Sequence, residues 1–174
     1  HRGHQALLKK LVQTAKEKNI QSCVMTFEPH PIEYFAPEKA PSRILSLRDK
    51  LEALAEVGID KVLVIHFNQH FSNLSPSEFV EKILVNGLQV QSILIGDDFH
   101  YGAKRAGNFS SLCEAGQKHG FTVERMETLE ENNQRISSSA IRGALKQGDL
   151  NLARQLLGRP YMLSGHVLHG QKLG

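Results

Sequence analysis

The stretch DKVLVIHFNQHFSNLSPSEFVEKILVNGLQVQSILIG, residues 60–96, carries the fold. Its first eight residues, DKVLVIHF (60–67), are a short apolar, β-branched run of strand length. SPSEFVEKILVNG (75–87) then reads as a helix. Ser75 is its N-cap, Pro76 takes the first helical position, Glu78 closes a capping box and Gly87 stops it. VQSILIG (90–96) is a second strand. A strand, a helix and a strand in this order predict parallel pairing with the helix packed on one face.

The same alternation continues outward. Upstream, SLRDKLEALAEVG (46–58) is a helix opened by Ser46 and Asp49 and closed by Gly58. QSCVMTF (21–27) is a strand. Leu7, Leu8, Leu11, Val12 and Ala15 recur at helical spacing over residues 4–18. EPHPIEYFAPEKAPSR (28–43) holds four prolines and reads as a loop. Downstream, NFSSLCEAGQKHG (108–120) is a helix, FTVERME (121–127) a strand, and ISSSAIRGALKQGD and DLNLARQLLG are helices. The fold class is therefore α/β, a parallel sheet flanked by helices, with ligands expected at the C-terminal ends of the strands. Leu47, Leu51, Leu54, Phe79 and Ile83 are candidate core residues.

The chain has 174 residues, 40% apolar and 22% charged, with a net charge of +3. That suits one globular domain with a substantial core. No apolar run approaches the roughly 20 residues of a membrane helix, no stretch reads as a signal peptide, and no Lys/Arg stripe tracks a nucleic-acid backbone. Cys23 and Cys113 form no metal or redox motif and read as core thiols of a reducing, cytoplasmic setting.

Four segments carry chemistry. In HRGH, His1 and His4 share one face of the first helical turn. Gly3 opens the backbone to a ligand, and the helix N-terminus already favours an anion. The spacing alone also fits an exposed helix start or the remnant of a tag. In ISSSAIR, one of Ser137, Ser138 and Ser139 caps the helix, and Arg142 follows Ser138 by four residues on the same face. Hydroxyls, helix N–H groups and a guanidinium make a second phosphate site. Arg135 adds to this field or is a solvated charge. TFEPHP (26–31) stiffens a strand end and holds Glu28 and His30 in place. GDDFHYGAKRAGN (96–108) offers Phe99 and Tyr101 for stacking on a flat ring, with Asp97 or Asp98 as an acceptor or a magnesium ligand. An ordinary surface loop with core-facing aromatics fits that segment equally well. His66, His70 and His119 belong to no constellation.

HxGH, TFEPHP, GDDFHYGAKRAGN and SSSxIR, in this order, resemble the FMN adenylyltransferase module of the bacterial bifunctional riboflavin kinase/FMN adenylyltransferases, the prokaryotic FAD synthetases, within the HxGH nucleotidyltransferase superfamily. The resemblance spans essentially the whole chain. It implies a Rossmann-like fold over residues 1–157 whose first strand would precede His1, and the start of a β-barrel riboflavin kinase domain over 158–174. It implies transfer of AMP from ATP to FMN, giving FAD and pyrophosphate, with Mg2+ accompanying ATP. The longer protein would also phosphorylate riboflavin.

The site residues implied are His1, His4, Ser138 and Arg142 for catalysis. ATP would meet His1, Gly3, His4, Gly96, Ser137, Ser138, Ser139 and Arg142. FMN would meet Phe27, Pro29, His30, Asp98 and Phe99. No protein side chain is assigned to a metal. Two positions depart from the family pattern: Ser139 replaces a usual threonine and keeps the hydroxyl, while His100 replaces a usual arginine near the flavin loop. Two rival readings remain open. One is an HxGH enzyme for another acceptor, pantetheine phosphate or nicotinate mononucleotide; the other is a nucleotide-binding module without turnover.

Overall fold

The computed structural model describes residues 1–126 and 136–167 in full, and residues 130–131 and 134–135 as backbone only. Helix α1 (Arg2–Glu17) leads into β1 (Cys23–Glu28). Helix α2 (Pro31–Phe35) and a 3-10 turn (Pro37–Lys39) precede α3 (Leu47–Val57) and β2 (Lys61–His66). After α4 (Gln69–Ser72), α5 (Pro76–Glu78) continues as a π-helix over Phe79–Gly87. Then come β3 (Ser92–Gly96), a 3-10 turn (Ala103–Arg105), α6 (Phe109–His119) and β4 (Thr122–Met126). The short β5 (Glu130–Glu131) and β6 (Gln134–Arg135) lead to α7 (Ser138–Lys146) and α8 (Leu150–Leu157).

The strands pair in parallel, β1 with β2 and β3 with β4; β2 and β3, the strands on either side of the SPSEFVEKILVNG helix, do not pair with each other as that stretch predicts. The parallel strands form two separate pairs rather than one continuous sheet, and β5–β6 is a small antiparallel pair. Contact between the two parallel pairs runs instead through side chains. Met25 of β1 packs against the core that holds Ile95, Phe79, Val80, Leu84, Leu112 and Phe121. At the entrance to the first pair, Ser22 is 1% exposed. Its amide and hydroxyl both donate to Asp60 Oδ2, at 2.8 and 2.7 Å, and its Oγ accepts the Asp60 N–H. This latch fixes the register before the first strand residues pair.

Local chemistry places the helix ends where the sequence set them. Ser46 with Asp49 and Ser75 with Glu78 form complete capping boxes, and Asn108 and Asp149 cap α6 and α8. Each such cap is worth about 1 kcal/mol. The proline-rich loop is the main departure. Residues 31–35 are helical because Pro31 is pre-set for the first helical position. His30 Nδ1 accepts the Ile32 N–H while Glu33 accepts the His30 N–H. The π turn at Phe79–Gly87 is a second departure, since a wider helix keeps the same apolar face inward. A second core joins Ile136, Ile141, Leu156 and Leu157 between α7 and α8. Residues 158–167 form no helix or strand, so the expected barrel strand is not found there; residues 168–174 lie outside the described residues.

Candidate active site

The starts of α1 and α7, which carry HRGH and ISSS, meet. A Cβ added at Gly3 would lie 3.7 Å from the Ile136 carbonyl oxygen, one residue before Ser137. The start of α1 therefore abuts the start of α7. Gln5 Nε2 holds the arrangement by donating to the Leu157 carbonyl at the end of α8, 2.8 Å away.

At the start of α1, His1 is the N-cap, its Nδ1 accepting the His4 N–H at 3.2 Å. The two imidazoles stack, with centroids 3.9 Å apart and planes 18° from parallel. Gly3 serves this stack. A side chain there would press on the His1 ring at 3.1–3.2 Å, so the missing Cβ makes room for the imidazole rather than for a ligand. His4 keeps an open face toward solvent, yet the protein crowded around its ring pushes its pKa below the usual histidine value; the Asp98 carboxylate works in the opposite direction. A neutral His4 at neutral pH donates through one nitrogen only.

At the start of α7, Ser137 is the cap, its Oγ accepting the Ala140 N–H at 3.2 Å. Ser138 and Ser139 lie in the first turn beyond it. One turn on, Arg142 Nε donates to the Ser42 carbonyl at 2.7 Å. The last side chain thus ties α7 to the loop before α3. Arg135, whose backbone lies in β6, has its side chain outside the described residues.

The TFEPHP segment forms the next wall. Phe27 packs edge-on against Phe67 and tilted against Phe71, both at 5.6 Å. A cis bond joins Glu28 to Pro29. His30 caps α2, and its own pKa is lowered by burial, against the pull of Glu33; the cations Lys50, Arg142 and Arg43 lower it further. That electrostatic set brings the end of β1, α3, α7 and the Ser42–Arg43 loop together.

In the loop after β3, Asp98 Oδ1 would be 3.6 Å from a Cβ at Gly96, so the carboxylate folds back over the strand end. Phe99 lies nearly parallel to Tyr101, centroids 5.7 Å apart. Tyr101 itself is 6% exposed and packs on Phe79, which removes it as a stacking partner for a ligand. Phe99 is half-buried. Where the resemblance implied an arginine at His100, Arg105 Nη2 reaches back to His100 Nδ1 at 3.2 Å. This contact sets a guanidinium beside His100.

Two residues of this site escaped the sequence reading. Lys50 of α3 donates to Thr26 Oγ1 at 3.3 Å and acts on both His4 and His30. Arg43 spans Glu28 and Glu33. Among the described residues, no three His, Cys, Asp or Glu side chains gather as a metal site. Nor is any helix among them long and apolar enough to cross a membrane.

The FAD synthetase family model matches residues 1–140 of this chain. The chain belongs to the FAD synthetase family. The bifunctional riboflavin kinase/FMN adenylyltransferase of Pseudomonas fluorescens is 50% identical over 173 residues, covering 99% of this chain and 55% of that protein. The enzyme of the same name from Escherichia coli K12 is 45% identical over 174 residues, covering 100% of this chain and 56% of that protein. The chain thus spans little more than half the length of these relatives. A solved structure titled a macrolide-efflux protein, from Streptococcus pneumoniae, superposes with a TM-score of 0.79 at 24% identity. It covers 92% of this chain and 52% of that one, and the likeness speaks for the fold alone.

Proposed function

We propose that this chain transfers the adenylyl group of ATP to FMN, releasing pyrophosphate and forming FAD. The observation that carries the reading is the abutment of the two helix starts, HRGH and ISSS, in a member of the FAD synthetase family. Two helix N-termini brought side by side make a cradle for a polyphosphate.

In this reading the FMN phosphate oxygen attacks the α-phosphorus of ATP. A new phosphoanhydride bond forms as the α–β bond breaks, and pyrophosphate departs with the bonding electrons. The side chains position and neutralise; they do not form a covalent intermediate. His1 and His4 donate to the α-phosphoryl oxygens where charge develops. Ser137, Ser138, Ser139 and Arg142 hold the leaving pyrophosphate, and Gly96 faces the adenosine end. Phe27, Pro29, His30, Asp98 and Phe99 receive the flavin side. Lys50, acting on both His4 and His30, stands between the two halves and suits the FMN phosphate. Mg2+, brought in with ATP, would offset the phosphate charge, and the described residues offer no dedicated cage for it. Free Cys23 and Cys113 fit a cytoplasmic setting. The length of the relatives supports a riboflavin kinase part elsewhere in a longer protein.

The direct test is to incubate the chain with FMN, ATP and Mg2+ and separate flavins chromatographically. FAD is the expected product. AMP transfer to pantetheine phosphate or nicotinate mononucleotide instead, or binding of ATP and FMN with no transfer, overturns the reading.

A further inference from the structure

Arg43 is bound more fully than a loop arginine needs to be. Its Nε donates to Glu33 Oε1 at 2.6 Å and its Nη2 to Glu33 Oε2. Its Nη1 and Nη2 also donate to the two oxygens of Glu28, at 3.0 and 2.7 Å. Two forked pairs thus use four of the five N–H donors of one guanidinium. The carboxylates are not arbitrary neighbours. Glu28 is the last residue of β1, and Glu33 closes the capping box over His30. Between them lie Pro29 and His30, both assigned to the flavin side. The fork beside Glu33 holds its carboxyl down to about 2. On the other side, the residue before Arg43 supplies the carbonyl that holds Arg142 Nε.

We propose that Arg43 is a positioning residue, and that the Ser42–Arg43 dipeptide is a strut between the phosphate-facing Arg142 and the flavin-side loop, residues 28–33. This rests on the FMN adenylyltransferase reading. One end of the strut orients the guanidinium for the ATP phosphates; the other fixes the loop beside FMN. Occupancy of one substrate therefore changes affinity for the other. A pair this open to water, with Arg43 42% exposed, adds little to global stability. Its geometric demand is nevertheless high, because lysine cannot fork to two carboxylates.

The test uses the chain with Arg43→Gln, Arg43→Lys and Glu33→Gln, each checked for folding by its thermal transition. FMN binding is followed by flavin fluorescence with and without a non-hydrolysable ATP analogue, and KM values come from FAD formation. Expected in Arg43→Gln is a rise of about tenfold in the KM for FMN, with the KM for ATP moving less than about twofold. The effect of the ATP analogue on FMN affinity, present in the wild type, should largely vanish. Arg43→Lys should not rescue either. If Arg43→Gln fails to fold, Glu33→Gln carries the test, since its one carbonyl oxygen can still accept the His30 N–H while the carboxylate fork to Arg43 is lost. An FMN KM and an analogue effect both unchanged in a folded variant overturn the proposal, as does a wild type with no analogue effect. A wild type that neither binds FMN nor makes FAD instead removes the functional reading on which the proposal stands.

Discussion

Gly107→Ala is expected to lower both stability and flavin affinity, and the structure sets the size. A Cβ at Gly107 would sit 2.6–2.7 Å from three carbons of the Tyr101 ring, almost under its outer half. Ordinary carbon contacts lie near 3.5–4.0 Å, so the ring must lift by about 1 Å. It has nowhere easy to go. Its backbone is tied to Gly107 by two hydrogen bonds of 3.0 and 2.9 Å, its hydroxyl lies 3.2 Å from Ser111 Oγ, and Phe79 and Phe99 pack on it. Overpacking of this kind costs about 1–3 kcal/mol, and the crowding argues for the upper end. Gly107 does not have a positive φ. Alanine can therefore adopt its backbone and recover up to about 1 kcal/mol through the unfolded chain. The net loss is about 2 kcal/mol, a fall in Tm of about 4–8 °C for a chain of this length. Displaced Tyr101 moves Phe99 with it, so FMN affinity falls in parallel. Calorimetry and flavin fluorescence read the two effects. Gly143→Ala is the control: its Cβ would meet nothing within 4 Å inside α7, so Tm should rise, by about 0.5–1 kcal/mol of stability. A Gly107→Ala protein melting within about 1 °C of wild type would refute the reasoning.

Arg142→Ala should reduce kcat/KM for FAD formation by about 2–4 kcal/mol of transition-state stabilisation; an unchanged rate would remove Arg142 from the phosphate site. Ser137→Ala should cost about 1 kcal/mol in a denaturant titration because it deletes the α7 cap, whereas Ser139→Ala, away from the cap bond, should leave the midpoint in place. Acidification should destabilise the chain through His4 and His30. Burial holds both below their ordinary pKa, so their stabilising contribution is full above the unfolded value near 6.5 and is lost as pH falls toward the folded values. Tm measured from pH 8 downward should therefore stay level and then drop, and replacing both histidines by glutamine should flatten the drop. A Tm that climbs between pH 7 and 5.5 would contradict the lowered pKa values of these two imidazoles.

What the sequence made legible was local. Ser46, Ser75, Asp149 and the glycines at 58, 120 and 158 place helix ends through bonds spanning three or four residues, and the structure keeps all of them. The alternation of apolar runs also gave the parallel pairing. That HRGH and ISSS serve one ligand was legible in their shared anion-seeking chemistry, but their abutment, which joins residues more than a hundred positions apart, is not encoded in local pattern. Helix α2 was hidden by its prolines: four in sixteen residues read as loop, while Pro31 is well suited to a first helical position. Lys50 and Arg43 were hidden for another reason. Nothing in their neighbours marks them, and their significance comes from Thr26, Glu28 and Glu33, which meet them in the folded chain. The separation of the strands into two pairs is likewise a property of hydrogen bonding across distance, which periodicity does not encode.

The aromatic rings form a nearly continuous file. Phe35 and Tyr34 meet Phe67, which meets Phe27 and Phe71; Phe71 meets Phe79, and Tyr101 and Phe99 follow. The file runs from the TFEPHP side to the loop after β3. The chain has no tryptophan and three tyrosines, two of which, Tyr34 and Tyr101, stand in this file. Its native ultraviolet emission therefore comes in large part from rings that stand behind Phe27 and Phe99, the aromatic walls assigned to the flavin. A yellow ring bound between those walls would absorb that light by resonance transfer, so the unlabelled protein is its own optical gauge of occupancy.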